Sequence, residues 1–305
     1  MFAKQCCTPL LLSAGVMLLT ACTSSLKITR LNDAPLSETP SHKEIQFYNE
    51  GESAPADYKI LGKVYAYKRS GTIFSTPSDK SMMKMMRAPA ASLGADAIIG
   101  FRSSIFNGEE SKSIRRWASG LAVRLGAPAS PEDAQNDLLV VIAPPRFEKK
   151  QSEKNEAKFD KAMQDAAQWH LEQKGYYAIL GKNALLPLTL GQIDSLQAEA
   201  LYEYGDRRAG LILLLSLENV SSGHIGIAGG GDAQLSAKLL SKKTRKIVWE
   251  NVGTGGTFTL GAVLTLGEDR KKNAIYAAMK HVFEPLSNKA EAYGVASSNG
   301  NQMEQ

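Results

Sequence analysis

From Ala209 to Leu217 the chain reads AGLILLLSL, apolar on both alternating faces. A strand of this kind has to lie at the centre of a sheet that is covered on both sides. Asp137 to Ala143, DLLVVIA, is a second compact apolar run, closed by Pro144 and Pro145, and reads as another buried strand. Between the two, Phe159, Met163, Ala166 and His170 form one stripe bordered by Trp169, which predicts a helix ending at Lys174-Gly175. Tyr176 to Leu180 reads as a short strand and Ile193 to Tyr202 as a helix. The pattern then changes to hairpins, with Asp232 to Leu239 alternating, Ser241 to Arg245 turning and Lys246 to Val252 returning. Ile275, Met279, Val282 and Leu286 mark a last helix, with Asp269 as candidate cap and Pro285 near its end.

A smaller unit precedes this one. Tyr58 to Lys68 alternates as a strand, and Glu44 to Tyr48 reads as a shorter one. Thr76 to Asp79 supplies capping residues for a helix whose Met82, Met85, Met86 and Leu93 share a face, with Pro89 as a kink. Gly94 ends that helix, and strands are predicted at Asp96 to Phe101 and Arg116 to Leu125. The fold class is therefore α+β in two domains, a small β-β-α-β-β unit over 42–125 followed by a mixed-sheet α/β sandwich over 137–290. A proline-marked linker at 126–136 divides them, and 291–305 reads as a disordered tail.

The chain has 305 residues, 43% of them hydrophobic and 22% charged, which suits two globular domains. Its formal charge of +5 is too mild to argue for nucleic acid. Of its three cysteines, Cys6 and Cys7 lie near the start and Cys22 follows.

Lys4, the apolar stretch from Pro9 to Leu19, and Leu19-Thr20-Ala21-Cys22 together resemble a bacterial lipoprotein signal peptide. About a dozen apolar residues are too few to span a bilayer, which takes roughly 20. The resemblance implies removal of 1–21, acylation of Cys22, and anchoring to a membrane through that residue. Cys22 would then be the mature chain's only thiol, leaving it without disulfides. Thr23, where inner-membrane lipoproteins carry aspartate, implies the periplasmic side of an outer membrane. Residues 22–41 have no periodicity and read as a tether, with a coil reach of roughly 25 Å.

Two further resemblances concern the domains. Tyr58-x-x-Leu61-Gly62-x-Val64, with the helix closing in Ala90-Ala91-x-Leu93-Gly94-Ala95-Asp96-Ala97-Ile98-Ile99, resembles the envelope domain of RcsF- and YbjQ-like proteins. RcsF-like domains can carry disulfides, and the matching cysteines are absent here. The segments Asp137 to Pro145, Gly175-Tyr176-Tyr177, Gly210 to Leu214, and Leu239-Leu240 through Thr244 to Val248-Trp249-Glu250 resemble the TolB N-terminal domain and CsgG-related lipoproteins. No long amphipathic hairpin matching the membrane-crossing strands of CsgG is expected.

No motif specifies chemistry. His42, His170, His224 and His281 have no metal spacing. Met82, Met83, Met85 and Met86 invite a copper(I) reading, but helical geometry favours burial against the sheet. Gly223 to Asp232 lacks the Lys-Ser or Lys-Thr and the helix of a phosphate loop, and reads as a mobile hairpin loop; Thr254 to Thr257 has the same weakness. Glu199, Glu203 and Asp206 read as a solvated face, and no nucleophile elbow surrounds Ser195 or Ser216. Lys242, Lys243 and Arg245 form a basic turn that is the candidate partner-binding site. The expectation is a non-enzymatic accessory or assembly factor with no metal or cofactor, binding other envelope proteins and able to form a homo-oligomer. Its rivals are an envelope stress or ligand sensor and, behind that, a cell-wall hydrolase.

Overall fold

The computed structural model describes residues 24–31, 44–53, 55, 57–69, 76–106, 115–126, 136–181, 208–225, 228–260 and 267–292. Cys22, the expected helix from Ile193 to Tyr202, and Glu199, Glu203 and Asp206 lie outside them. The first sheet contains β1 (Ser24–Arg30), β2 (Gln46–Asn49), β3 (Tyr58–Arg69), β4 (Ala97–Phe106) and β5 (Arg115–Leu125), with α1 (Asp79–Ser92) between β3 and β4. The second contains β6 (Asn136–Ile142), β7 (Arg146–Phe147), β8 (Tyr177–Leu180), β9 (Ala209–Ile225), β10 (Ala228–Ser241) and β11 (Lys246–Leu260), covered by α2 (Glu153–Gln173) and α3 (Gly267–Phe283). A last short strand, β12 (Glu291–Ala292), returns to the first sheet.

Strand order is β12-β1-β3-β5-β4-β2 in the first sheet and β11-β10-β9-β6-β8 in the second, with β7 beside β9. The second sheet is mixed: β6 runs parallel to β8 and β9, while β9, β10 and β11 form an antiparallel meander. The fold is α+β, built on two mixed sheets.

Four layers result. On the outer side of the first sheet, α1 buries Met82 and Met86 with Val64, Ala66, Ile98, Phe101 and Ala122, so the methionines fill a core. Ser78 caps α1, its side chain accepting the Ser81 N–H at 3.3 Å. The two sheets face each other through Ile60, Ile99, Leu121 and Val123 on one side and Leu139, Val141, Ile212, Leu214 and Leu240 on the other. Behind the second sheet, Phe159, Met163 and Leu171 of α2 meet Ile275, Met279 and Val282 of α3.

Several expectations need correction. Residues 24–30 were expected in the tether and instead form β1, paired with β3 from Ser24↔Lys68 to Arg30↔Gly62. Ile28 is buried and Leu26 packs on the α1 cluster, a short alternation hidden among charged and hydroxyl residues. Glu291 and Ala292, expected in the tail, pair with β1. Asp269 is inside α3, where it holds Lys158 at 2.8 Å, and is no cap. Gly223 to Asp232 is largely ladder, with β9 and β10 paired from Ile225↔Ala228 inward. β9 and β10 thus form one long hairpin.

His170 stacks on Phe283 at 5.5 Å, which in turn stacks on Trp249 at 5.8 Å. Burial, with Lys174 and Lys280 nearby, lowers the His170 pKa to about 4. The unfolded chain binds this proton near pH 6.5 and the folded chain only near 4, so stability is full above the first value and falls as pH drops toward the second. The loss should be about 3 kcal/mol once pH is below both values. Denaturant titrations at several pH values should show a shallower slope across this window for His170→Phe than for the parent, and equal slopes would refute the assignment.

Candidate functional site

The most concentrated chemistry lies where the two sheets and α2 meet. Lys63 of β3, Arg102 of β4 and Glu172 at the end of α2 are all buried, Glu172 completely. Lys63 Nζ stands 2.6 Å from Glu172 Oε2 and donates to the Glu172 carbonyl at 2.7 Å and the Tyr176 carbonyl at 2.6 Å. Two of its hydrogens thus go to backbone carbonyls, and the ammonium faces the carboxylate as an ion pair. Arg102 binds Glu172 Oε1, which also accepts the Ala178 N–H at 3.0 Å. The Arg102 guanidinium lies over the Tyr177 ring, 4.2 Å from its centroid, and the Tyr177 hydroxyl donates to the Gly100 carbonyl at 2.7 Å. Glu50, after β2, completes the set at 3.4 Å from Arg102.

Local sequence explains this convergence. Alternation along β3 puts Lys63 on the same face as Tyr65 and Tyr67. That face meets Trp117 and Trp169, stacked and tilted at 6.3 Å (Tyr65 with Trp117) and 6.5 Å (Trp117 with Trp169). α2 stops at Gly175, whose φ of +93° admits the turn into β8 and whose Cα passes close to Thr29 and Ala290. Lys27 donates to the Gln173 carbonyl at 3.2 Å, so two cations, Lys27 and Lys63, meet the negative end of α2.

Burial lowers the Lys63 pKa to about 8, against the opposing pull of Glu172. Burial alone would raise the Glu172 carboxyl, but Lys63 and then Arg102 hold it below the usual range. The carboxylate is fully buried between these two cations. Chemically the cluster is a clamp: it joins β3, β4, α2 and β8 through charges that are costly to bury in any other arrangement.

The sequence did not single out Lys63, Arg102 or Glu172. The one local signal is a charged residue at an inward position, Lys63 between Gly62 and Val64 and Glu172 beside Leu171. The basic turn is only partly a surface. Lys243 and Arg245 are exposed, whereas Lys242 is 5% exposed and its backbone N–H donates to the Gly210 carbonyl at 2.8 Å. Lys242 is therefore removed from the candidate contact residues. Beyond the turn, the face of β9 to β11 opposite α3 is open, with the polar Asp232, Gln234 and Thr254 beside the exposed apolar side chains Val248, Val252 and Phe258. A shallow depression there, about 270 Å³, is lined by Asn219, Asp232, Gln234 and Thr254 among others.

No family model and no curated protein matches the chain. Among solved structures it is similar to lipoprotein GNA1162 from Neisseria meningitidis, with 13% identity over 40% of this chain and 83% of that one and a TM-score of 0.31. A homolog of neuraminyllactose-binding hemagglutinin from Helicobacter pylori is 19% identical over 51% of this chain and 86% of that one, with a TM-score of 0.34. A PelC dodecamer from Paraburkholderia phytofirmans is 12% identical over 49% of this chain and 90% of that one, with a TM-score of 0.28.

Proposed function

We propose that this chain is a lipid-anchored protein of the bacterial envelope that works by binding other envelope proteins, with no chemical step of its own. The observation that carries the reading is Leu19-Thr20-Ala21-Cys22, followed after one residue by a folded strand at Ser24. An acylated Cys22 would hold the body at a membrane and raise its effective concentration toward partners there. The engaged state of Glu172 supports a structural use for the buried charges. Lys243, Arg245 and the outer face of β9 to β11 are the contact elements this reading favours, because exposed side chains on a rigid meander can be held in a fixed pattern.

Crosslinking of the lipidated protein in its native envelope, followed by capture, is the test. Charge reversal at Lys243 and Arg245 together should reduce recovery of a specific partner while changing stability by less than about 0.5 kcal/mol, as expected of surface positions. Cys22→Ser should release the protein from the membrane fraction or leave the leader uncleaved, and mass spectrometry of the mature N-terminus should find acyl chains on Cys22. Turnover of wall fragments by the purified protein, abolished by one substitution that spares the fold, would instead make it an enzyme.

A further inference from the structure

The start of β1 fixes which part of the protein can reach a membrane. Only Thr23 separates Cys22 from Ser24, and two residues of chain span at most roughly 7 Å. The expected standoff of a long tether is therefore absent on the N-terminal side. Ser24 is in register with Lys68, Lys68 with Arg116, and Arg116 with Ile105; Arg69 is in register with Arg115. Neighbouring strands are about 4.8 Å apart. The first residue of β1 thus lies at the same end of the first sheet as the last residues of β3 and β4 and the first of β5.

Among the described residues, that end is cationic. Arg69 is exposed, Lys68 and Arg116 are half-buried, and Lys80 is exposed at the start of α1, which is placed here by the 2.5 Å contact between Arg116 and Asp79. Asp79 is the one acid among the described residues at these strand ends. Ile105, 40% exposed, adds an apolar side chain to the same rim. The opposite end of the sheet mixes signs, with Glu44, Asp57 and Asp96 among Lys59 and Arg124.

We propose that this end of the first sheet, with Lys68, Arg69, Lys80 and Arg116 around Ile105, is a docking face that sits on anionic phospholipid headgroups. The inference rests on the reading of Cys22 as the acylated residue and adds orientation to it. An anchor two residues from the rim places the cations near the surface, within the reach of a screening length of about 8 Å at physiological salt. Each cation so placed strengthens attachment to an anionic surface about fivefold. Acyl chains hold the protein at the membrane, and the cationic rim selects which side faces it.

Because the mature chain has Cys22 as its only thiol, one introduced cysteine can be labelled uniquely once Cys22 is acylated. The lipidated full chain, carrying a fluorophore at Ile105→Cys or, for comparison, at Val248→Cys on β11, would be reconstituted in phosphatidylcholine vesicles with and without phosphatidylglycerol. A headgroup-attached nitroxide lipid serves as quencher. Quenching should be strong at position 105 and weak at 248 in the anionic vesicles, and should fall severalfold at 105 without phosphatidylglycerol or with Lys68→Glu and Arg69→Glu together. Equal quenching at the two positions, or quenching at 105 that ignores both lipid charge and charge reversal, would overturn the docking face. Mass spectrometry of the same sample separates the two readings: an unacylated Cys22 sinks the anchor itself, whereas an acylated, vesicle-bound protein without the quenching pattern sinks only the orientation.

Discussion

Glu172→Ala is expected to destabilise the protein by about 3–5 kcal/mol, because it removes the anion from a buried cluster and leaves two cations behind. Typical domains have only about 5–15 kcal/mol to lose. Lys63 and Arg102 would keep their positions with no carboxylate between them, and Lys63 would lose the attraction that opposes its desolvation. Its two carbonyl partners, Glu172 and Tyr176, are backbone groups and would remain. The variant should therefore retain part of the Lys63 site and lose most of the Arg102 site. Urea titration followed by tryptophan fluorescence reads the result directly, since Trp117 and Trp169 sit on the same face as Lys63 and Tyr65. A second variant separates the worth of the ions from the cost of unpairing them. Replacing Lys63, Arg102 and Glu172 together by methionine or leucine should recover much of the loss, because apolar side chains of similar volume bear no desolvation cost. If Glu172→Ala unfolds at the parental midpoint, the clamp contributes nothing and the cluster needs another explanation.

Legibility followed the range of the signal. Local, periodic features were readable: β3, α1 with its methionine face, β6, α2, β8, the meander turn and α3 all lie where alternation or helical spacing put them. β1 was missed because Leu26 and Ile28 are its only large apolar residues, and its stability comes from a ladder to β3, distant in sequence. The same applies to β12. The glycine-rich stretches misled in a different way, since composition alone cannot distinguish a loop from a strand whose missing side chains leave room for a neighbour. The charge cluster was invisible for a third reason. Lys63, Arg102 and Glu172 are far apart in the chain, and each looks like an ordinary solvated residue until the sheets are stacked. The basic turn shows the converse, with Lys242 grouped among surface cations by sequence and buried by the fold.

Gly255→Val should cost at least about 3 kcal/mol, at or beyond the usual range for overpacking, because the new side chain has backbone rather than flexible side chains to displace. A Cβ at this position would lie 2.1 Å from the Ala278 nitrogen and 2.6 Å from the Ala274 carbonyl oxygen. Gly253 faces Ala278 and Val282 in the same way, and Gly231 faces Arg270, so a bare track on β10 and β11 receives one ridge of α3 at four-residue spacing. Glycine inside a strand is itself unfavourable by about 0.5–1 kcal/mol, a cost offset here by the close seating of the helix. Lifting α3 would loosen Ile275, Met279, Val282 and Phe283 from the second sheet's core and disturb the stack of Phe283 with His170 and Trp249. Gly223→Ala is the matched control: no heavy atom lies within 4 Å of its added carbon, and its effect should stay within about 0.5 kcal/mol. Hydrogen exchange should find the amides of α3 less protected in Gly255→Val while those of α1 are affected little. Equal stability of the valine variant and the Gly223 control would show that the glycines serve the hairpin alone, and that α3 is not seated on them.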